Sequence, residues 1–300
     1  MKIHVIVNPK AGRQIVQKNL EQIIGHLMIT DPLMEIKVTC TQKSNDAAEA
    51  ASLCTRDNTD LILGCGGDGT INEIVNGLMR SGQDIPLAIL AAGTSNDFAT
   101  SLHLPETPEE FCKVLQAGYY KPIDLGIANE KDYFINVASF GMFTDVAHTT
   151  DRNAKNNLGL LAYYLKAASS APEQLKKYAH LDIDSNGEKF SGDYAICIVS
   201  NSMSIGSFRK LMYKADVSDG LFDVLMLKRP ALIPKKKDDK PGEFNKLSLF
   251  HYFQTPAIKF EVTEEKSIDV DLDGEAYGRL PLSIRVCHNA IRLLVPPPQD

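Results

Sequence analysis

The chain has 300 residues, enough to bury a sizeable core in one large domain or two. Its hydrophobic content of 44% and charged content of 23% are ordinary for a soluble globular protein, and its formal net charge of −6 argues against nucleic acid as the main partner. Six scattered cysteines without a C-x-x-C pair indicate reduced thiols. Signal-peptide features are lacking, and no stretch approaches the roughly 18 apolar residues of a membrane span. We therefore expect a cytoplasmic protein.

Strand and helix signals alternate in the first third of the chain. Apolar, β-branched runs predict strands, at 3–7, 35–41, 61–63 and 87–90. Helical spacing or alanine-rich sequence predicts helices between them, at 15–27, at 46–53 and from the glycine-rich residues 66–70 to about residue 79. This alternation is typical of a three-layer α/β domain with a mainly parallel sheet. We place this α/β domain at residues 1–125.

The pattern changes after about residue 124 to short segments rich in Val, Ile, Phe and Tyr. These predict strands, at 133–139, 179–183, 194–200, 221–228, 257–262 and 283–286. Turn sequences separate them, and one helix is predicted at 158–168, with a lysine-rich surface loop at 235–240. The composition predicts a β-rich C-terminal domain, an antiparallel sandwich at 126–290, with the last ten or so residues returning to the first domain. A cleft between two domains is the expected place for a ligand.

The Gly-Gly-Asp-Gly-Thr sequence at 66–70 is the most informative stretch, because a predicted strand precedes it and a predicted helix follows it. Glycines let backbone N–H groups approach a ligand, and a helix N-terminus attracts phosphate. Asp68 is unusual in such a loop, since a carboxylate repels phosphate unless a divalent cation lies between them. The loop therefore favours a metal-bound nucleotide over a bare anion.

Two further loops follow predicted strands, Asn-Pro-Lys-Ala-Gly at 8–12 and Gly-Thr-Ser-Asn-Asp at 93–97. Loops at the carboxyl ends of parallel strands converge on one edge of a sheet, so we expect all three to meet there. Gly64, Gly66 and Gly69 formally match the dinucleotide fingerprint G-x-G-x-x-G. The carboxylate inside the turn and the lack of a suitable acid about twenty residues later disfavour that interpretation, and no Walker A sequence is present.

The three loops, taken with four further motifs, resemble the catalytic domain of the diacylglycerol kinase family. These motifs are Asp-Leu-Gly at 124–126, Phe-Ile-Asn-Val at 134–137, Asp-Gly-Leu-Phe-Asp-Val at 219–224 and Asp-Gly-Glu at 273–275. The resemblance runs nearly end to end and is closest to the soluble bacterial branch of lipid kinases, which also resemble sphingosine kinases. It implies phosphoryl transfer from ATP, with Mg²⁺, to a lipid hydroxyl. Diacylglycerol is the best single acceptor, and phosphatidic acid is then the product.

The resemblance also implies roles for particular residues. Residues expected to bind ATP are Asn8, Pro9, Lys10, Ala11, Gly12, Thr41, Gly66, Gly67, Asp68, Gly69, Thr70, Asn72, Glu73, Gly93 and Thr94. Asp68, Asp97 and Asp124 correspond to acids that organise the metal and water network of the cleft. Glu275 corresponds to the general base that accepts the proton of the lipid hydroxyl, with Asp273 beside it.

A structural Mg²⁺ site is implied at Asp216, Asp219 and Leu221. The residues alone favour a simple Asp-Gly turn at this position, and they also allow Asp124 and Asp273 to be turn-forming acids.

Two other functions remain open, an NAD kinase that shares the glycine loop and a non-catalytic regulator that binds nucleotide or lipid on the same fold. Asn96 and the 273–275 motif disfavour the first, and retention of a general base disfavours the second.

The expected partner is a lipid at the inner face of the membrane, contacted transiently from the cytoplasm. A homodimer is left open. Ala91 and Lys214 replace prolines common in the family, so the identity of the acceptor is open as well.

Overall fold

The computed structural model describes residues 1–11, 15–31, 33–93, 96–141, 178–202, 214–228, 250–263 and 267–298. The predicted helix at 158–168 and the predicted lysine-rich loop at 235–240 lie outside these ranges, as do Gly12 and Thr94. Among the described helices, none is both long enough and apolar enough to cross a bilayer.

Strands and helices alternate in the N-terminal part, and every strand and helix predicted there is confirmed. The elements are β1 (Lys2–Val7), α1 (Ile15–Thr30), β2 (Glu35–Cys40), α2 (Asp46–Ser52), β3 (Leu61–Gly66), α3 (Asp68–Ser81), β4 (Leu87–Ala91), α4 (Asp97–Ser101) and α5 (Pro108–Ala117). The sequence analysis missed α4 and α5, although α5 carries a clear local signal. Thr107 and Glu110 form a capping box at its start, with Pro108 in the first turn.

A parallel sheet with strand order β4-β3-β1-β2 forms the middle layer of this part. Successive side chains of a strand point to opposite faces, so Ile3 and Val5 of β1 pack with α1 and α5. Ile62 of β3 and Ile89 of β4 pack on the other face, with α2 and α3. The predicted three-layer α/β architecture is therefore confirmed.

The remaining described strands are mainly antiparallel, as predicted. They are β5 (Tyr120–Ala128), β6 (Asp132–Phe134), β7 (Val137–Gly141), β8 (Ala179–Ser185), β9 (Glu188–Ser200), β10 (Phe222–Lys228), β11 (Phe250–Thr255), β12 (Ala257–Val262), β13 (Asp269–Leu272), β14 (Glu275–Arg279) and β15 (Leu282–Leu294). The predicted strand at 133–139 is divided into β6 and β7, and β5, β11, β13 and β14 were not predicted. Their core includes the ring pairs Phe134–Phe222 and Phe140–Phe260, with centroids 5.7 and 4.9 Å apart.

β15 connects the two parts of the molecule. It pairs antiparallel with β12 and β5, and near its end Leu293 lies beside Leu87 of the parallel strand β4. β5 runs without interruption through residue 125, where the sequence analysis ends the first domain. The sheet is therefore continuous across this position, and the domain boundary stays a prediction.

A buried histidine in β1 predicts how stability depends on pH. His4 Nδ1 lies 3.0 Å from Cys54 Sγ, and His4 Nε2 lies 2.8 Å from Thr39 Oγ1. Burial, aided by the charge of Lys37, lowers the pKa of His4 from 6.5 to about 4. As the pH falls below 6.5, the unfolded state therefore takes up this proton before the folded state does, and folding stability is lost until the pH reaches about 4.

We expect His4 alone to lower the free energy of unfolding by about 2 kcal/mol between about pH 7 and pH 5. Urea unfolding at both pH values measures this loss. A His4→Gln variant keeps hydrogen-bonding capacity but cannot titrate in this range, so its loss should be smaller by the same amount. Identical pH dependence of the two proteins would contradict the prediction.

Candidate active site

The carboxyl ends of β1, β3 and β4 lie side by side at one edge of the parallel sheet. The Asn8 N–H donates to the Cys65 carbonyl at 2.9 Å, and the Ala92 N–H donates to the Gly66 carbonyl at 2.9 Å. The loops that follow these three strands therefore begin next to each other, and their predicted convergence is confirmed. Thr41 follows β2 at the same edge, where it is buried and its N–H donates to the Val7 carbonyl at 2.9 Å.

The loop after β1 is held against the glycine loop. The side chain of Asn8 accepts a hydrogen bond from the Lys10 N–H at 3.0 Å and donates one to Thr70 Oγ1 at 3.1 Å. The Ala11 N–H donates back to the Asn8 carbonyl at 3.1 Å, which closes the turn around Pro9. Asn8 thus fixes the distance between the loop after β1 and the first turn of α3.

The glycine loop is too crowded for side chains at two of its positions. A Cβ atom on Gly66 would lie 2.6 Å from Thr70 Cβ, and one on Gly67 would lie 3.2 Å from Gly93 Cα. Gly67 precedes the first residue of α3, Asp68, so the free N–H groups of a helix of 14 residues begin at this point. Those N–H groups and the helix dipole suit an anion such as phosphate.

The loop after β4 approaches the glycine loop from the other side. A Cβ atom on Gly93 would lie 2.7 Å from Gly67 Cα, so the two backbones are in close contact. The Asn96 side chain stabilises this loop by accepting from the Gly93 N–H at 2.7 Å and donating to the Gly93 carbonyl at 3.1 Å. Asn96 has a left-handed φ of 47°, and Asp97 begins α4 directly after it.

Glu275 approaches this edge from the C-terminal part of the chain. A Cβ atom on Gly69 would lie 2.8 Å from Glu275 Oε1, so the carboxylate lies directly over the first turn of α3. Glu275 is exposed, and within the described residues its side chain has no hydrogen-bond partner. A carboxylate in this position can accept a proton beside a phosphate held at the helix N-terminus.

Two residues predicted to bind ATP form hydrogen bonds with other segments of the chain. Glu73 accepts hydrogen bonds from Ser44 Oγ at 3.2 Å, the Asn45 N–H at 2.9 Å and the Ala47 N–H at 3.3 Å, which stabilise the start of α2. Asn72 faces the C-terminal part of the chain. Their polar atoms bind neighbouring segments of the protein, and a role of either residue in binding ATP stays a prediction.

Asp273, predicted as a catalytic residue beside the base, anchors its turn to neighbouring segments of the chain. Its carboxylate accepts four hydrogen bonds, from the N–H groups of Ile135, Asn136 and Val137 and from Asn72 Nδ2, at 2.7 to 2.9 Å. Burial raises the pKa of Asp273, and these hydrogen bonds act in the opposite direction. A carboxylate has about four lone-pair positions, so no acceptor site is left for a substrate proton.

Asp124, predicted to belong to the network of the cleft, is completely buried in β5. It accepts hydrogen bonds from the Gly220 N–H and the Asn289 N–H, both at 2.7 Å, and its Oδ1 lies 2.9 Å from His288 Nδ1. The sequence analysis did not identify His288 or Asn289, and no local pattern marks them. Asp124 therefore joins β5, β15 and the turn at 216–221, and its carboxylate does not contact the glycine loop.

The turn at 216–221 carries the predicted structural metal site. Asp219 accepts from the Leu221 N–H at 2.9 Å, and burial, together with the negative charges of Asp216 and Asp124, raises the pKa of Asp219. Lys121 partly offsets this charge, since its Nζ lies 3.3 Å from Asp216 Oδ1. No cluster of three or more His, Cys, Asp or Glu side chains suited to a metal ion occurs among the described residues. A metal here would need backbone carbonyls or water as further ligands.

Fold and site geometry together define a two-part architecture, in which the Glu275 carboxylate of a β-rich part lies over the glycine loop of an α/β part. Residues 2–128 match the model of the diacylglycerol kinase catalytic domain, and residues 136–295 match the YegS C-terminal NAD kinase beta sandwich-like domain. The chain is 31% identical to a diacylglycerol kinase of Bacillus subtilis, over 98% of this chain and 96% of that protein. It is 29% identical to one of Staphylococcus saprophyticus, over 93% and 90%.

Solved structures agree with this fold. A diacylglycerol kinase structure from Bacillus anthracis superposes with a TM-score of 0.74 at 23% identity, covering 99% of this chain and 97% of that one. An NAD kinase from Archaeoglobus fulgidus, solved with ATP, has a TM-score of 0.52 at 15% identity, over 98% and 93%. The chain belongs to the diacylglycerol kinase family. It is a lipid kinase of that family.

Proposed function

We propose that this lipid kinase transfers the γ-phosphoryl group of ATP, with Mg²⁺, to the hydroxyl of diacylglycerol and so forms phosphatidic acid. The observation that carries the proposal is the exposed carboxylate of Glu275 over Gly69 at the N-terminus of α3, which has no hydrogen-bond partner among the described residues. The names of the relatives support diacylglycerol as the acceptor. The reaction requires transient contact with a membrane surface, since the acceptor is a membrane lipid.

The chain's own residues act by position and charge. The N–H groups at the start of α3 hold phosphate oxygens, and Asn8 and Gly93 bring the two neighbouring loops onto the same anion. Glu275 accepts the proton of the lipid hydroxyl while the hydroxyl oxygen attacks the γ-phosphorus. Asp68 offers a hard carboxylate oxygen at the first residue of α3, which suits Mg²⁺ as a ligand. When bound, Mg²⁺ neutralises charge on the transferred phosphoryl group.

We also propose the structural Mg²⁺ site at Asp216, Asp219 and the Leu221 carbonyl. The residues fit a cation, because burial and two neighbouring carboxylates all disfavour the ionised form of Asp219. A bound divalent cation would relieve this repulsion. Its contribution is to hold the turn at 216–221 against Asp124.

Two other functions compete with this proposal. An NAD kinase has a related fold, which the structural likeness to the archaeal enzyme supports, yet that likeness concerns fold alone. A regulator without catalytic activity could bind nucleotide at the same edge. The exposed carboxylate of Glu275 over Gly69 favours a kinase over a regulator, because a protein that only binds nucleotide has no use for a negative charge beside the phosphates.

The deciding experiment offers the protein several acceptors under the same conditions. The full chain is incubated with ATP labelled on its γ-phosphate, Mg²⁺ and mixed micelles of diacylglycerol, monoacylglycerol or a sphingoid base, and separately with NAD. Labelled phosphatidic acid as the main product supports the proposal. A preference for another lipid alcohol would change the acceptor, transfer to NAD would favour the second enzyme, and no transfer would favour a regulator.

Replacing Asp68 tests the proposed Mg²⁺ ligand. In Asp68→Asn we expect kcat to fall by at least about 100-fold and the Mg²⁺ concentration for half-maximal rate to rise, because the amide is a weaker ligand without charge. Asp60→Asn is the matched control, since Asp60 lies just before β3 and Asp68 follows it. Rates measured across a Mg²⁺ titration give both quantities. An unchanged Mg²⁺ dependence in Asp68→Asn would exclude this role.

A further inference from the structure

The hairpin that carries Glu275 is attached to α3 by another residue. Asp273 and Gly274 form its two-residue turn, with φ of 53° and 89°, and both positive values are those of a type I′ turn. This turn directs the Asp273 carboxylate back into the protein, while Glu275 begins the next strand. Two acidic residues separated only by Gly274 therefore have opposite environments.

The donors to Asp273 come from two separate segments. Ile135 and Asn136 donate backbone N–H groups from the connection between β6 and β7, and Val137 donates from the first position of β7. Asn72 donates its side-chain N–H from α3 at 2.8 Å, across 201 positions of sequence. The Asp273 N–H completes the attachment by donating to the Val137 carbonyl at 2.8 Å. The turn is thereby fixed to the helix whose N-terminus forms the phosphate site.

Asp273 contacts α3 close to the point where Glu275 lies over that helix. Asn72 is three residues beyond Gly69, which corresponds to about 4.5 Å along the helix axis. Glu275 lies over Gly69, and none of the described residues holds its carboxylate by a hydrogen bond. The position of Glu275 relative to the phosphate site therefore depends on the hairpin, and the hairpin depends on Asp273.

We propose that Asp273 is a positioning residue, which holds the β13–β14 hairpin on α3 through Asn72 and the amides of residues 135–137 and thereby sets Glu275 over Gly69. The inference rests on the proposed role of Glu275 in phosphoryl transfer. It separates the two acids of the Asp-Gly-Glu motif, since Glu275 contacts the substrate and Asp273 acts only through the geometry of the hairpin. Loss of Asp273 should then lower the rate of transfer without weakening nucleotide binding.

The test compares Asp273→Asn with Asp269→Asn, a matched change on the same hairpin. Asp269 forms an exposed ion pair with Arg279 at 3.0 Å. In Asp273→Asn one carboxylate oxygen is replaced by an NH2 group, which faces an N–H donor and cannot accept its hydrogen bond. The hairpin is then held less firmly on α3, and we expect kcat to fall by about 100-fold. The KM for ATP should stay within about twofold, and the acidic limb of the pH–rate profile should stay at the same pH, because Glu275 is intact. Asp269→Asn should retain the wild-type kcat.

Hydrogen exchange provides a readout that does not depend on activity. The amides of residues 135–137 lose their acceptor in Asp273→Asn and should exchange faster, whereas Asp269→Asn should leave them unchanged. If Asp273→Asn does not fold, Asn72→Ala removes one of the four donors to Asp273, together with the hydrogen bonds of Asn72 to the Tyr133 carbonyl and from Asn76 Nδ2. It should lower kcat by about tenfold with the same KM for ATP.

The proposal would be overturned if Asp273→Asn and Asn72→Ala both kept the wild-type kcat. It would also be overturned if the amides of residues 135–137 exchanged at the wild-type rate in both of these variants. Loss of the acidic limb in Asp273→Asn would overturn it too, because Asp273 would then be the base itself. A wild-type chain that phosphorylates no lipid contradicts the proposed function instead, and with it the positioning role. If no lipid is phosphorylated, the exchange rates show only whether Asp273 holds the hairpin through the amides of residues 135–137.

Discussion

Glu275→Gln should be nearly inactive in lipid phosphorylation, with kcat reduced by about 1,000-fold or more. The expected loss follows from the range of about 100- to 10,000-fold that a positioned general base contributes. Glutamine has the size of glutamate but cannot accept the proton of the lipid hydroxyl. Binding of ATP should be kept or slightly strengthened, because the change removes a negative charge from beside the phosphate site over Gly69.

Glu261→Gln is the control for this substitution. Glu261 is exposed on β12 and pairs with Lys259 at 2.5 Å, so the change alters the same chemical group on the surface. Steady-state rates with labelled ATP and nucleotide titrations of both variants complete the measurement. A Glu275→Gln variant with more than about a tenth of the wild-type kcat would argue against general-base catalysis by Glu275.

Gly77→Ala should destabilise the fold by about 3 kcal/mol or more. Gly77 lies in α3 where that helix crosses α2, and a Cβ atom there would lie 2.1 Å from the Ala48 carbonyl oxygen. The obstacle is backbone, so no side-chain rotation relieves it and the two helices must separate. Because α3 carries the phosphate site, activity should fall together with stability. The free energy of unfolding in urea measures the effect.

Replacing Gly25 with alanine should raise the free energy of unfolding, whereas Gly77→Ala lowers it. Gly25 lies in α1 and is exposed, and a Cβ atom on it would have no neighbour within 4 Å. Alanine is favoured over glycine inside a helix by about 1 kcal/mol, so Gly25→Ala should stabilise the protein by up to that amount. Equal effects at the two positions would contradict the packing explanation for Gly77.

Much of the fold was predictable because its signals are local. Strands buried on both faces require nearly continuous apolar runs, so β1, β3 and β4 were recognisable from a few residues each. The edge where the three loops meet followed from a general property of parallel sheets. The short helix α4 and the short strands β13 and β14 were missed, because elements of four or five residues are too short for a hydrophobic period to be recognised.

By itself, the sequence determined the order of the elements, the glycine loop and the family. Tertiary structure alone decided what the individual polar side chains do. Asp273 and Glu275 belong to one motif, yet Asp273 binds Asn72 and the 135–137 backbone, whereas the exposed Glu275 lies over Gly69 with no hydrogen-bond partner among the described residues. A side chain's role follows from the donors and charges that folding brings to it, and for Asp273 those donors are more than 130 residues away.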